Sequence, residues 1–126
     1  MPASPPTELL LPSLQAWRRW LQRNADDATE AWVVISKKSL LPSGLSFDDA
    51  LDEAMCFGWV DVSSRRRDDT TYLLRFTPRR QRSAWSMTNV TRVQRLSAEG
   101  RMQPAGDAAV ARAKEAGLWP PGAGPP

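Results

Sequence analysis

Proline placement limits what this chain can fold into. Four of the eleven prolines fall in Met1–Pro12, and the sequence from Trp119 reads WPPGAGPP. Proline fixes φ, offers no N–H to a ladder and cannot continue a helix. Residues 1–12 and 120–126 are therefore expected as extended, Pro-rich tails. The C-terminal run lacks the flanking basic anchors of a polyproline ligand. The folded part should be one domain from Ser13 to Trp119, long enough to bury a core of its own.

That core has no covalent help. One cysteine and no histidine among 126 residues exclude an internal disulfide, a CxxC redox or zinc site and a His-based metal centre. They also exclude a His-based triad or imidazole general base. No apolar run approaches the ~18 residues of a membrane span, so no membrane insertion is expected. Met1–Pro12 lacks the charged and apolar regions of a secretory signal. A reduced, cytoplasmic location and no cofactor are the resulting expectations.

Periodicity then divides the domain. Ser13 can cap a helix to Asn24, with Leu14, Trp17 and Leu21 on one face. Ala31–Ile35 is a short, β-branched apolar run that reads as a buried strand, ended by Lys37 and Lys38. A loop containing Pro42 and Gly44 follows. Ser46 caps the next helix, whose first turn carries Asp48 and Asp49. Phe47, Leu51, Ala54 and Met55 form its expected apolar face, and Gly58 its stop.

Trp59–Val62 and Thr71–Phe76 read as strands around an exposed connection, Ser63–Thr70. Ser86 can cap a helix to Ala98, and Pro104 can open a last one ending at Gly117. The expected fold is α+β: a small single domain of about three strands covered by four helices, in the order α-β-α-β-β-α-α.

Charge is uneven along this chain. Residues 1–62 carry a net −4, residues 63–101 a net +7, and the remainder balances to give the overall +3. The basic middle is entirely arginine: Arg65, Arg66, Arg67, Arg75, Arg79, Arg80, Arg82, Arg92, Arg95 and Arg101. Guanidinium suits bidentate phosphate or carboxylate recognition and stacks on aromatic rings. Such a stretch points to an anionic partner, although charge runs also serve simply as solvated surface. Asp68 and Asp69 partly offset Arg65–Arg67. Arg79, Arg80 and Arg82 have no nearby carboxylate in sequence and lie close to Trp85.

The segments Cys56-Phe57-Gly58-Trp59-Val60-Asp61, Arg75-Phe76-Thr77-Pro78-Arg79-Arg80 and Ser83-Ala84-Trp85-Ser86 resemble the YdeI/OmpD-associated family of bacteriocin-protection proteins. Ala31-Trp32-Val33-Val34-Ile35 and Glu99-Gly100-Arg101-Met102 with Pro104-Ala105-Gly106 extend the resemblance over about Leu14–Trp119. It implies a role in bacteriocin or stress resistance. Relatives often carry a histidine after the first helix, where this chain has Ala25. They also usually add a helical segment beyond the position of Trp119.

Asp61 sits in an otherwise apolar strand and is a candidate ligand or proton-transfer group; an ion pair with Arg75 or Arg79 is its structural alternative. Cys56 ends an apolar helix face and reads as a buried small hydrophobe. Lys37 and Lys38 read as solvated strand-end charges. Trp17, Trp20, Trp32 and Trp59 read as core, leaving Trp85 apart among polar residues. The candidate ligand-binding set is Asp61, Arg79, Arg80, Trp85, Ser86 and Asn89, with Trp85 as an aromatic wall and the following helix N-terminus beside it.

Three functions fit. The first is a cofactor-free, non-enzymatic binding or protection protein recognising a small anionic ligand or an acidic protein partner. The second is a nucleic-acid-binding module using the basic middle. The third is a small enzyme using Asp61 with an arginine or lysine.

Overall fold

A computed structural model describes residues 7–37, 45–79 and 84–120. The first helix, α1 (Leu14–Asn24), starts where the Ser13 hydroxyl accepts from the Ala16 amide at 3.2 Å. Its Trp17 and Leu21 are fully buried. The next helix, α2 (Phe47–Cys56), is capped in the same way by Ser46, which accepts from the Asp49 amide at 3.1 Å. Gly58, at φ +79°, takes the left-handed conformation that ends it. Ser86 caps α3 (Met87–Ala98), and Pro104 opens α4 (Pro104–Glu115).

The expected class holds: a small α+β domain with four helices. The described strands number four rather than three: β1 (Glu8–Leu9), β2 (Ala31–Ser36), β3 (Trp59–Arg66) and β4 (Thr71–Pro78), in the spatial order β1-β2-β4-β3. Strand β1 runs parallel to β2 with Glu8 opposite Trp32, while β2/β4 and β4/β3 are antiparallel. It lies inside the stretch expected to be an N-terminal tail, and Leu9 and Leu11 pack against the core. Parallel pairing needs a distant partner, so two residues among prolines carry no local strand signal.

The β3–β4 hairpin is also longer than the expected Trp59–Val62 and Thr71–Phe76. Register shifts between Asp61 and Ser63, a bulge that leaves Val62 half-exposed, and pairing then continues to Arg66. The turn is held by Asp68, whose Oδ1 accepts from the Thr71 amide at 2.7 Å and the Thr70 amide at 3.0 Å. These bonds hold the Asp68 carboxyl down at about 2, the Thr71 hydroxyl contributing most.

Alternation along the strands separates the two sheet faces. Val33, Ile35, Leu74, Phe76 and Trp59 join the helices in one core, whose centre is α2. Trp17 and Trp59 are buried, whereas Trp20 and Trp32 are only half-buried. Phe47, expected on the apolar face, is the first residue of α2 and is 38 % exposed. Helix α4 approaches α2 closely at Gly106, where a Cβ would stand 2.2 Å from the Cys56 carbonyl oxygen. That oxygen accepts from the Gln103 amide at 2.9 Å.

Candidate functional site

The three motif segments meet at one end of the sheet. Trp59 pairs with Pro78, and the next amide, that of Arg79, donates to the Gly58 carbonyl at 2.9 Å. This turns the Arg79 side chain onto Trp85, with the guanidinium carbon 4.2 Å from the indole centroid and Nη2 donating to the Ala84 carbonyl at 3.1 Å. Such a stack orients a guanidinium while leaving its charge in place. Partial burial pulls the Arg79 guanidinium below the usual arginine value.

Trp85 corrects the sequence reading. It is not an isolated wall among polar residues but a core member, 6 % exposed. Its ring meets Trp119 at 5.3 Å, and its amide donates to the Leu118 carbonyl at 3.0 Å. Lys114 lies over Trp119 at 5.1 Å. Two cations thus flank two touching indoles, one just before α3 and one just after α4.

Ser86 and Asn89 stand just beyond, at the start of α3. The exposed Ser86 hydroxyl accepts from the Asn89 amide at 3.2 Å, so it is occupied as a cap. Arg80 lies outside the described residues, as do Arg82 and Lys38. Among the described residues no hydrogen bond or ion pair joins Asp61 to this cluster. It is half-buried on the helix-facing side of β3, opposite Phe76, and makes no ion pair among the described residues. The expected alternative pairing is also absent, because Arg75 donates to Glu30 at 2.7 Å instead. Asp61 acts on Tyr72, whose hydroxyl is pushed up first by burial and then by Asp61 and Asp48.

Sequence reasoning missed the main electrostatic feature. Asp52 and Glu53 of α2 are 5 % and 2 % exposed. Arg92 and Arg95 donate to Asp52 Oδ1 at 2.6 and 2.7 Å. Arg18 and Arg101 hold the two oxygens of Glu53, the latter at 2.9 Å. Asp48 and Glu99 close the group, pairing with Arg92 at 3.1 Å and Arg101 at 3.2 Å. Four guanidinium groups face four carboxylates.

On the opposite sheet face, Arg67 pairs with Glu8 at 2.9 Å and Arg65 lies over Trp32 at 5.4 Å. Among the described residues, five of the ten arginines of the basic middle, Arg67, Arg75, Arg92, Arg95 and Arg101, are therefore matched at 2.9 Å or closer, mostly by carboxylates of the acidic first half, while Arg66 meets Asp69 only at 3.9 Å on the exposed surface. One sequence signal pointed this way: FDDALDEAMC carries four acids and no cation, so its counter-charges had to come from elsewhere.

Cys56 is not a reactive nucleophile at this end. Cys56 is fully buried, and burial followed by the Glu53 charge pushes its thiol up to about 12. Among the described residues no group of three His, Cys, Asp or Glu is placed to hold a metal, and no helix is long and apolar enough to cross a membrane. A model of the family described as Domain of unknown function (DUF8412) matches residues 9–109. No curated protein and no solved structure matches the chain.

Proposed function

We propose that this chain, which belongs to the DUF8412 family, is a cytoplasmic, non-enzymatic binding or protection protein that recognises an anionic ligand or acidic partner at its Arg79–Trp85 end. We further propose kinship with the YdeI/OmpD-associated proteins and a role in bacteriocin or stress resistance. The observation that carries the reading is the Arg79 guanidinium over Trp85 at 4.2 Å, beside Trp119 and Lys114. A cation fixed on an indole loses little further freedom on binding, which favours planar carboxylate or phosphate.

Convergence of the segments around Gly58, Arg79 and Trp85 supports the kinship, since the residues that carry the resemblance are those that build this end. The nucleic-acid reading draws less support, because half of the arginines it needs are matched by carboxylates within the chain. Asp61 forms no ion pair among the described residues, which leaves the enzymatic reading with the least support.

The test is thermal unfolding against inorganic phosphate, nucleoside monophosphates, dicarboxylates and a short oligonucleotide. A ligand at about 100 times its Kd adds ~2.7 kcal/mol, a shift of about 10 °C at this size. Arg79→Glu should fold and lose that shift. No response from any anion, or an equal response from R79E, would overturn the proposal.

A further inference from the structure

We propose that β3 is a docking edge for a second copy of this chain, the two strands pairing antiparallel about Ser64 so that Arg66 of each copy meets Asp61 of the other. The surface lies toward the β3–β4 turn, at the other end of the hairpin from Trp59 and Pro78, and stands independently of the Arg79–Trp85 reading. Strand β3 ends the described sheet, beyond β4 in the order β1-β2-β4-β3. Among the described residues no backbone bond links residues 60–66 to anything but β4. Residues 62–66 are all exposed, Val62 at 49 %. Such an edge is a row of unpaired N–H and C=O groups, a template for another strand. The opposite edge, β1, is two residues long and offers far less.

Charge selects the occupant. Asp61 makes no ion pair among the described residues. Arg66, with its side chain 83 % exposed, meets Asp69 at 3.9 Å on the open surface, a contact worth little. The strand thus carries a carboxylate toward its start and a guanidinium toward its end. Such a strand complements a copy of itself when the two run antiparallel. An acidic peptide would suit Arg66 but would set a second carboxylate against Asp61.

The register permits the match. Asp61 stands opposite Phe76 and Arg66 opposite Tyr72, so alternation along β4 puts both on the helix-facing side. A two-fold axis normal to the sheet keeps that side common to both copies. With Ser64 on the axis, Arg65 falls beside Ser63 of the second copy, and Arg66 beside the bulge at Asp61 and Val62. The bulge precedes the segment that pairs, because regular register with β4 runs from Ser63 to Arg66. Two four-stranded sheets then join edge to edge, and the exposed Val62 gains a neighbour. A ladder this short buries less than ~1,200 Å², the range of weak, transient pairs.

Sedimentation equilibrium of the full chain, from micromolar to millimolar concentration at low ionic strength, is the experiment. A monomer–dimer equilibrium is expected, and added salt should weaken it. Asp61→Arg or Arg66→Asp alone should weaken association about tenfold, since two like-charge contacts replace two attractive ones. The double variant D61R/R66D should regain wild-type association. Amide hydrogen exchange of the wild type supplies a readout that needs no variant. Amides of residues 62–66 that face away from β4 should exchange more slowly as the dimer fills. A monomer at every concentration, an unchanged dimer in R66D, or exchange protection confined to β1 would overturn the proposal. A folded D61R/R66D chain that fails to associate would do the same. So would an acidic extended peptide bound at β3 by a chain that stays monomeric.

Discussion

Glu53→Gln removes one negative charge from the centre of the domain and leaves the shape of the side chain unchanged. In the wild type, Glu53 is 2 % exposed and its two oxygens accept from Arg18 and Arg101, whose side chains are 31 % and 27 % exposed. A glutamine carbonyl can still accept from one guanidinium, but its NH₂ group then faces the other, donor against donor. Losing one hydrogen bond to a charged group costs about 1.5–3 kcal/mol. Breaking a fully buried pair costs ~3–5 kcal/mol, an upper bound here because both arginines reach water. The expected loss is therefore about 2.5 kcal/mol.

That is a sizeable share of a domain's ~5–15 kcal/mol. At about 4 °C per kcal/mol for this length, Tm should fall by roughly 10 °C. Urea unfolding followed by tryptophan fluorescence gives the free energy, with an unchanged m-value as the check that the same surface unfolds. The control is Glu99→Gln, which removes a 42 % exposed carboxylate of the same cluster and should cost about 0.5 kcal/mol or less. An E53Q loss no larger than that of E99Q would refute the reasoning, because burial would then not set the strength of the network.

Other consequences follow from the same packing. Gly106→Ala would set a Cβ 2.2 Å from the Cys56 oxygen, so overpacking should cost ~2 kcal/mol or more; a loss under about 0.5 kcal/mol in urea unfolding would contradict the close docking of α4. Cys56, its thiol pushed up to about 12 by burial, should resist iodoacetamide in the native protein and react quickly in denaturant, and rapid native labelling would argue against the buried position. The Asp68 carboxyl is lowered from 3.8 to about 2, its Thr71 hydroxyl bond contributing most. Its stabilisation is thus present above pH 3.8 and disappears as pH falls through about 2. The stability gap between wild type and Asp68→Asn should close over that window, and a constant gap would count against the turn geometry.

Local signals made most of the elements legible. Ser13, Ser46 and Ser86 each precede a periodic apolar face, and each caps the helix expected of it. Gly58 and Pro104 mark a helix end and a helix start for reasons contained in their own backbones. What escaped was made by partners distant in sequence. Strand β1 exists because Glu8 and Leu9 find Trp32 and Val33. Asp52 and Glu53 carry no local sign of burial, yet Arg18, Arg92, Arg95 and Arg101 arrive from three other segments to cover them.

Trp85 looked polar by its neighbours and is buried by Trp119, from the far end of the domain. The Arg79–Trp85 juxtaposition was legible because a few residues separate the two, whereas Asp61 was grouped with them by motif and pairs with none of the described cations.

The uneven charge is the decisive feature: five of the ten arginines of the middle are held by carboxylates, mostly of the acidic first half, so at most half of them are left for outside partners. Salt dependence of single-stranded oligonucleotide binding, measured by fluorescence anisotropy, tests this most directly. The slope of log affinity against log salt is about −0.7 per phosphate neutralised. With five of the ten arginines matched inside the chain, the slope should be no steeper than about −3.5. A slope near −7 would mean that all ten are open to a polyanion, and would contradict the account.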